Sequence, residues 1–515
     1  MEIQRTLIKG DKLGMRFPAT IGELRNSGYT VQPVKDEIRN NLIHKLENHE
    51  PLFPGIIGYD QTVIPSLVNS ILARHDILLL GLRGQAKSRI VRQLPSLLDE
   101  YIPFVKGCEI NDNPYKPVCK RCTDLVKERG DDVEIDWLHR EQRFGEKLAT
   151  PDVTIADLIG DIDPIKAAAQ RLHYSHEGAI HYGIIPRTNR GIFAINELPD
   201  LQPRIQVGLF NIMEEKDIQI RGFNVRIPLD LMIVFTANPE DYTNRGNLIT
   251  PLKDRIDSQI LTHYPRTIDD AIRITEQEAW IQRDGREVRI PQYFKEIIEQ
   301  TAFEARKSEY VDQKSGISAR FTISAMENLV SNAERRAILV GDRCIVPRIC
   351  DLAHALPGMT GKVELVFEGE QEGPAKVSKA LVGKAVREVF KQYFPDPLQK
   401  RPKHQTESRQ QEDSEYAKII SWFESGNKIE IADEMPLDRY FEELDKVKGL
   451  RELTKKHMKL SESNRYEFAS AMEFVLDGLH QSSRIAKDEV DRLTAYKDLV
   501  GSIFAGKGKS IEEEF

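Results

Sequence analysis

The chain has 515 residues, of which 40% are hydrophobic and 30% charged, and its formal net charge is −8. A chain of this length predicts about three domains, and its composition excludes both disorder throughout and a membrane-spanning run of about 20 apolar residues, which favours a cytoplasmic location. The acidic balance argues against nucleic-acid affinity over the whole chain, and its five cysteines are too few for a disulfide framework.

The first part of the chain predicts a helical extension followed by an α/β region. Residues 1–50 are polar with scattered apolar positions, and Val34–Leu46 has helical spacing. From 51 to 265, short apolar runs alternate with helical patterns, which indicates a mainly parallel sheet covered on both faces. The clearest strand candidates are Ile77–Leu80, Ile192–Ile195 and Leu231–Thr236.

Beyond this region the apolar periodicity becomes that of helices. Residues 266–399 predict a helical lid, in which Thr360–Glu370 alternates like a short β-hairpin. A polar linker is expected at 400–415, followed by an all-helical C-terminal domain at 416–515 that ends in a disordered tail, Gly506–Phe515. The helices expected in the lid are Thr267–Trp280, Pro291–Lys307 and Thr322–Leu339.

A phosphate-binding loop is predicted directly after the first apolar strand. Asp76–Leu80 leads into a glycine-bearing turn and then a helical pattern. Backbone N–H groups of such a turn point at an anion, Lys87 would reach the β- and γ-phosphates of ATP, and the Ser88 hydroxyl would ligate Mg²⁺. The nucleotide-binding candidates are Gly81, Arg83, Gly84, Gln85, Ala86, Lys87 and Ser88.

Two further strands end in polar residues that fit nucleotide hydrolysis. Gly191–Glu197 is an apolar strand that ends in Asn196 and Glu197, and Leu231–Asn238 ends in Asn238. A glutamate at such a position polarises the attacking water, and the Asn238 amide would hold the γ-phosphate or that water. Asn238 also fits a cap before Pro239.

These residues resemble the AAA+ ATPases of the branch that contains the MoxR proteins and the magnesium-chelatase I subunits. The loop Gly81–Ser88, with Ala86 before the lysine, is similar to the MoxR variant, as is Gln206–Ile220 to that group's helix and hairpin. Pro186–Gly191 and Gly160–Ala167 are closer to the chelatase subunits. The resemblance covers about residues 50 to 340 and implies a P-loop αβα core with a helical lid.

The resemblance also implies roles for two arginines and an oligomeric state. Leu252–Ile256 is similar to the element whose arginine reaches the neighbouring subunit's ATP, which makes Arg255 an arginine finger; the alternative is a surface pair with Asp254 or Asp257. Gly316–Arg320 resembles the second sensor, with Arg320 facing the γ-phosphate, although a surface arginine at a helix start fits too. A finger acting in trans implies a ring, in this family most often a hexamer.

Asn196 stands where the family has an aspartate. A carboxamide binds Mg²⁺ more weakly than a carboxylate does, so we expect an active but slow ATPase, or compensation by Asp200 or another carboxylate. Asn196→Asp is then expected to raise turnover or Mg²⁺ affinity, whereas Glu197→Gln should bind ATP without hydrolysing it.

Three of the cysteines suggest a metal site. Cys108, Cys119 and Cys122 could supply three zinc ligands, with His139 a distant candidate for the fourth, and free thiols are the alternative. The other two, Cys344 and Cys350, lie in a predicted helical region and are expected to be buried.

The resemblance leaves several client classes open. The first is a chaperone-like ring that remodels a partner protein, in this branch typically one with a von Willebrand A domain. The second is the motor subunit of a magnesium or cobalt chelatase. The third is a sigma-factor-interacting activator, although its Gly-Ala-Phe-Thr-Gly-Ala loop is not found here, and a nucleotide switch or a DNA-acting protein remains.

Overall fold

The computed structural model describes residues 17–169, 177–220, 226–239, 248–398, 415–460, 464–490 and 492–499. The chain forms two compact units, Met1–His263 and Tyr264–Phe515. Residues 1–16 of the N-terminal extension, residues 400–414 of the expected linker, and the tail Gly506–Phe515 lie outside the described residues. Among the described residues, every helix is too short or too polar to cross a bilayer.

The first unit alternates strands and helices, as its sequence predicts. Its strands are β1 Ile77–Leu80, β2 Tyr101–Val105, β3 Ile135–His139, β4 Phe144–Leu148, β5 Gly160–Ile162, β6 Ile180–Tyr182, β7 Gly191–Asn196, β8 Asp217–Gln219, β9 Arg226–Pro228, β10 Leu231–Ala237 and β11 Ser258–Leu261. Its helices are α1 Ile21–Asn26, α2 Val34–Glu47, α3 Val63–Leu72, α4 Lys87–Val91, α5 Lys120–Arg129, α6 Ile155–Leu158, α7 Pro164–Ala169, α8 Ile184–Arg187, α9 Pro203–Gly208, α10 Phe210–Glu214 and α11 Thr250–Asp254.

A five-stranded parallel sheet organises this unit, with the spatial order β11-β1-β10-β7-β4. The register places Ile77 opposite Val234 and Phe193 opposite Ile233, so the three predicted strands are direct neighbours. The remaining strands of the unit form two-stranded antiparallel pairs, β2 with β3, β5 with β6 and β8 with β9. The predicted α/β class, a parallel sheet flanked by helices, is confirmed.

The sheet is covered on both faces because its strands are apolar at consecutive positions. Ile77 and Leu79 pack into one hydrophobic cluster, which includes Leu42 of α2. Leu78 and Leu80 point the other way and pack into a second cluster. Successive side chains of a strand alternate between faces, so a continuous apolar run fills two layers. The result is a three-layer core in which the carboxyl ends of the strands share one edge.

The second unit is mostly helical. Its helices are α12 Ile268–Glu278, α13 Gln292–Ala305, α14 Ala319–Val340, α15 Asp351–Thr360, α16 Phe367–Glu372, α17 Pro374–Tyr393, α18 Ala417–Glu424, α19 Leu437–Asp445, α20 Leu450–Met458 and α21 Arg465–Gln481. Its strands are β12 Glu287–Val288, β13 Cys344–Ile345, β14 Ile429–Ala432, β15 Ala486–Val490 and β16 Leu493–Lys497. The three long helices predicted in the lid are confirmed as α12, α13 and α14.

One hydrophobic core runs through this unit, from Ala279 to Tyr496. Residues 468–479 of α21 are buried without interruption, and the ring of Phe474 stacks on Tyr293 of α13 with centroids 4.5 Å apart. A helix that is buried on every side belongs to a core rather than to a surface. The expected lid and C-terminal domain therefore pack as one compact unit.

The structure corrects three secondary-structure expectations in this unit. The hairpin expected at Thr360–Glu370 is wrong: Leu365 forms a bridge with Val311, and α16 begins two residues later. The C-terminal part is not all-helical, because β14, β16 and β15 form an antiparallel sheet. Cys344 lies in a short strand instead of a helix and is only half-buried, whereas Cys350 is buried as expected.

These errors share a physical cause. The alternating segment at Val363–Leu365 pairs with Val311, some fifty residues earlier in the chain, and not with the residues that follow it. The strands β14, β15 and β16 have only four or five residues each, and β15 is charged at three of its positions. Short polar strands are fixed by their partners rather than by a local pattern.

A buried carboxyl in the second unit makes stability depend on pH. Glu299 on α13 is 3% exposed, and Thr275 donates a hydrogen bond to it at 2.5 Å. Burial raises the pKa of Glu299 to about 7 from 4.5, against the opposing hydrogen bonds from Thr275 and Thr322. Between these values the folded state binds more protons than the unfolded state, so the free energy of unfolding falls as the pH rises.

Glu299→Gln should therefore remove this loss of stability. Thermal midpoints at pH 5 and pH 8 should show a gain for the variant that is larger at pH 8, where a charged Glu299 is buried in the wild type. Glu368→Gln, an exposed position at the start of α16, is the matched control. A gain of equal size at both pH values would contradict the assignment.

Candidate nucleotide site

The candidate site lies at the sheet edge where β1, β7 and β10 end. The loop 81–88 follows β1, Glu197 follows β7, and Asn238 follows β10. Adjacent parallel strands present their carboxyl ends at the same edge, and ligands of open α/β sheets bind there. Side chains from all three strand ends meet in the structure.

The loop after β1 has the backbone conformation of a tight turn. Gly84 has a φ of 72° and Ala86 a φ of 57°, both in the left-handed region. A side chain at Gly81 would overlap the hydroxyl of Thr262 and the amide of Gln85. Gln85 is itself buried, and its Oε1 accepts a hydrogen bond from Thr262 at 2.6 Å. The loop is thus anchored to the residue that follows β11, while Arg83, Gly84 and Ser88 are exposed.

The ammonium group of Lys87 is buried and donates to backbone and amide oxygens. The side chain is 7% exposed, and Nζ donates to the carbonyl oxygen of Gly81, to that of Leu82 at 3.0 Å and to Asn238 Oδ1 at 2.7 Å. Three acceptor oxygens match the three N–H donors of an ammonium group. This position therefore offers a fixed positive charge beside the glycine-bearing turn, which fits a phosphate group.

Asn238 connects Lys87 to Glu197. Its Oδ1 accepts from Lys87 Nζ, and its Nδ2 donates to Glu197 Oε2 at 2.8 Å. The two ends of this amide cannot be exchanged, because the carbonyl faces a donor and the amino group faces an acceptor. Asn238 therefore orients the lysine and the glutamate together, and the chain Lys87–Asn238–Glu197 links all three strand ends.

Glu197 has an unusual backbone conformation. Its φ of 54° and ψ of 49° are left-handed, which costs a residue with a Cβ atom roughly 1–2 kcal/mol. Its backbone N–H donates to Thr236 Oγ1 at 3.2 Å. Such strain is concentrated at functional sites, and here it turns the carboxylate out of the strand toward Asn238.

Asn196 is buried beside a carboxylate that the sequence analysis did not single out. Its Nδ2 donates to Glu146 Oε1 at 2.6 Å, and its Oδ1 accepts from Thr236 Oγ1 at 3.1 Å. Glu146 lies on β4, which pairs with β7. On its other side Arg92 forms an ion pair with Glu146 at 3.0 Å, and the hydrogen bond and charge of Glu146 raise the pKa of Arg92. Glu146 thus places a carboxylate next to Asn196, the position where the sequence resemblance implies an aspartate.

The residues near these strand ends include oxygen ligands of the kind that a hard cation prefers. Mg²⁺ prefers carboxylate, hydroxyl and water oxygens. Glu146 and Glu197 supply the carboxylates, and Ser88 at the start of α4 supplies an exposed hydroxyl. The residue types therefore fit Mg²⁺ even though Asn196 itself is neutral.

The structure describes each of the two predicted arginines within its own unit. Arg255 follows α11 and is paired with Glu214 at 2.9 Å, and its guanidinium lies over the ring of Phe210, 4.7 Å from the centroid. Its intrachain partner is therefore Glu214 rather than Asp254 or Asp257. Arg320 is exposed at the start of α14 in the second unit, where its backbone N–H donates to Ser318 Oγ.

Cys108, Cys119 and Cys122 do come together, and the fourth residue of their cluster is Asp112 instead of His139. Ligand atoms of Cys108, Cys119, Cys122 and Asp112 all lie within 4.8 Å of one another, and all four residues are buried. Hydrogen bonds from Cys119 and Cys122 lower the pKa of Cys108 to about 3, and burial raises that of Asp112 to about 6. His139 instead packs against the ring of Tyr101, with ring centroids 5.1 Å apart, so its proposed role as fourth ligand is wrong.

The pairing of Asn196 with Glu146 leads to a stability prediction. Asn196→Asp would place two carboxylates in contact, and we expect it to lower the free energy of unfolding by about 1–3 kcal/mol. Adding Glu146→Gln restores a donor–acceptor pair with its direction reversed, and most of the loss should be recovered. Denaturant unfolding of the wild type, both single variants and the double variant measures this coupling.

Additive effects in that cycle would contradict the hydrogen bond between residues 146 and 196. The turnover and Mg²⁺ affinity predicted to rise in Asn196→Asp should be measured in the double variant as well, because there the repulsion between carboxylates is absent.

No family model matches the sequence, and no curated protein matches it. Similar solved structures include NtrX from Brucella abortus, at 13% identity and a TM-score of 0.32 over 56% of this chain and 54% of that one. NtrX in complex with ADP is 14% identical, with a TM-score of 0.33 over 60% and 56% of the two chains. A complex between the magnesium chelatase subunits BchI and BchD is 19% identical, with a TM-score of 0.32 over 62% and 98%. This chain therefore spans about half of the length of NtrX.

Proposed function

We propose that this protein binds and hydrolyses Mg·ATP as an AAA+-type motor that remodels a partner protein. The observation that carries the proposal is the hydrogen-bonded chain from Lys87 through Asn238 to Glu197, at one edge of a parallel sheet. A buried cation, an orienting amide and a carboxylate in this order are the groups that phosphoryl transfer to water requires.

Lys87, Asn238 and Glu197 each have a distinct role in the proposed reaction. ATP supplies the γ-phosphoryl group, and Mg²⁺ neutralises the charge that develops on it. Lys87 holds phosphate oxygens by its positive charge, and Glu197 accepts a proton from the attacking water as general base. Asn238 keeps Glu197 in position through its Nδ2, so that the carboxylate points away from the strand.

Mg²⁺ would be held by Ser88 and by the carboxylates Glu146 and Glu197. Asn196 contributes an amide oxygen that is already bonded to Thr236, so a direct strong bond to the cation is not expected from it. Glu146, which accepts a hydrogen bond from Asn196, would replace the missing aspartate. The sequence analysis left open whether Asp200 or another carboxylate compensates for Asn196, and we assign this role to Glu146. A slow ATPase remains the expected behaviour.

The assembly and the client follow from the sequence resemblance. A ring, most simply a hexamer, is proposed because Arg255 would act on a neighbour, and the role of Arg320 as second sensor stays a sequence-based prediction. The proposed client is a protein with a von Willebrand A domain. Co-purification of such a protein with the Glu197→Gln variant would favour this class; hydrolysis stimulated by a tetrapyrrole would favour a chelatase motor, and sigma-factor binding an activator.

The proposal is tested by ATP binding and turnover. We expect wild-type protein to bind Mg·ATP and hydrolyse it, and Lys87→Ala to bind it about 10- to 100-fold more weakly, since a charged hydrogen bond is worth about 1.5–3 kcal/mol. Calorimetric titration and phosphate release measure both. The exposed Lys106→Ala is the matched control, and thermal midpoints establish that both variants fold. Wild-type protein that neither binds nor hydrolyses ATP would overturn the proposal.

A further inference from the structure

Four buried ligand groups converge in the segment that connects β2 to α5. Cys108 and Asp112 lie in the loop after β2, and Cys119 and Cys122 lie at the start of α5. Asp112 and Cys122 are fully buried, and the two other cysteines are 7–8% exposed. Their four ligand atoms lie within 4.8 Å of one another, although ten residues separate Cys108 from Cys119.

The arrangement leaves one polar atom without a partner. Oδ2 of Asp112 accepts from the backbone N–H of Cys119 at 3.0 Å, whereas Oδ1 is buried and has no hydrogen bond. A buried carboxylate oxygen that lacks a partner costs free energy. Because the Asp112 carboxylate belongs to the same cluster as three sulfurs, a cation between them would compensate for the missing hydrogen bond.

The backbone also supports thiolates at this point. The N–H of Asp112 donates to Cys108 Sγ, and the N–H of Cys122 donates to Cys119 Sγ, both at 3.4 Å. Hydrogen bonds of this kind stabilise negative charge on sulfur and orient the ligand. The backbone therefore fixes the direction of two of the three sulfurs.

We propose that Cys108, Cys119, Cys122 and Asp112 hold one structural Zn²⁺ ion. Thiolates select soft or borderline metals, and three sulfurs with one carboxylate oxygen complete a tetrahedral shell. Ligands at about 2.3 Å from one ion lie about 3.8 Å apart, which is within the 4.8 Å limit on the distances between these ligand atoms. Four protein ligands leave no open position, so the ion is structural rather than catalytic.

The ion would hold the segment between β2 and α5 in place against residues 187–190, which precede β7. Asn111 Nδ2 donates to the carbonyl oxygen of Arg187 at 2.7 Å, and Asn189 Nδ2 donates to that of Ile110 at 3.0 Å. Arg190, which is buried, donates to the carbonyl oxygen of Pro103 at 2.7 Å. β7 begins at the next residue and ends at Asn196, so the metal loop supports the strand that positions Glu197.

Metal content of the purified full-length protein tests the proposal. Protein expressed with added zinc and purified without chelator should contain one Zn²⁺ per chain by elemental analysis. Cys122→Ser and Asp112→Ala should lose it, whereas Cys344→Ser, which changes a cysteine outside the cluster, should retain it. Folded wild-type protein with little zinc, or zinc retained in Cys122→Ser, would overturn the proposal.

Two measurements on wild-type protein keep the test decisive if the variants do not fold. Zinc-edge X-ray absorption should show three sulfur ligands at about 2.3 Å and one oxygen ligand at about 2.0 Å, and a shell without sulfur would overturn the site. Thiol titration of the unfolded protein with chelator should find all five cysteines reactive, whereas loss of two to a disulfide would overturn it. Chelation should also lower the thermal midpoint of the wild type but not of Cys122→Ser.

Discussion

Replacing Glu197 by Gln should lower the rate of ATP hydrolysis by about 10²–10⁴-fold, the usual contribution of a general base, while ATP binding remains within a few-fold of wild type. The carboxamide keeps the shape of the side chain but cannot accept the proton of the attacking water. Single-turnover hydrolysis and calorimetric binding, measured side by side, separate the two effects.

The structure explains why binding should survive this change. Glu197 receives a hydrogen bond from Asn238 Nδ2 at 2.8 Å, and the Oε1 of a glutamine can accept the same bond. The left-handed backbone at residue 197 is already present with a side chain of the same length, so the substitution adds no strain. Lys87, which provides the charge for phosphate, donates to Asn238 and to carbonyl oxygens of its own loop, and these hydrogen bonds do not require a charge on residue 197.

A matched change elsewhere tests whether the loss is specific. Glu215→Gln alters an exposed glutamate that follows α10 and should leave turnover near the wild-type value. Hydrolysis at the wild-type rate in Glu197→Gln would show that another group activates the water. Loss of ATP binding in this variant would instead assign Glu197 to the binding of Mg·ATP.

Much of the first unit could be predicted from local sequence. Parallel strands covered on both faces must be apolar at consecutive positions, as Ile77–Leu80 is and as Leu231–Thr236 is up to Phe235. The same pattern fixes where each strand ends, and so indicated that Lys87, Glu197 and Asn238 would share one edge. Which atoms bond, with Asn238 between the other two, depends on side-chain rotamers that no spacing encodes.

The contributions of Glu146 and Asp112 could not be found in the same way. Glu146 reaches Asn196 only because β4 pairs with β7, and parallel pairing joins segments that are distant in the chain. Asp112 joins the cysteines because the loop after β2 folds back on itself, with the N–H of Val105 donating to the carbonyl oxygen of Asp112. His139 was the wrong choice because metal-ligand spacing specifies residue types but not loop paths.

Arg255→Ala should lower turnover by about 10³–10⁵-fold, the contribution of arginine fingers in related phosphoryl-transfer systems. Each subunit should still bind ATP, because Lys87 and the loop 81–88 are unchanged. Turnover per wild-type subunit should rise with protein concentration as subunits assemble, and in the variant it should stay low at every concentration. Phosphate release measured across a dilution series detects both behaviours.

The contact between Arg255 and Glu214 offers another explanation for a loss of turnover in Arg255→Ala, and Glu214 provides the control variant. Arg255 is 29% exposed and pairs with Glu214 within its own chain, so its loss could act through α10 instead of through a neighbour. Glu214→Gln removes the negative partner but retains Arg255. If the intrachain pair is what matters, Glu214→Gln should reproduce the loss of turnover; if Arg255 acts on a neighbour, turnover should stay within a few-fold of wild type.

Mixing two inactive variants makes the distinction direct. A site is complete when a subunit with intact Glu197 meets a neighbour with intact Arg255, and an equal mixture of Arg255→Ala and Glu197→Gln subunits forms such pairs at about a quarter of its interfaces in a closed ring. Turnover should therefore reappear on mixing, whereas each variant alone stays inactive. An arginine that acts only within its own chain cannot rescue a partner, so a mixture as inactive as its components would reject the role of Arg255 in trans and the ring that follows from it.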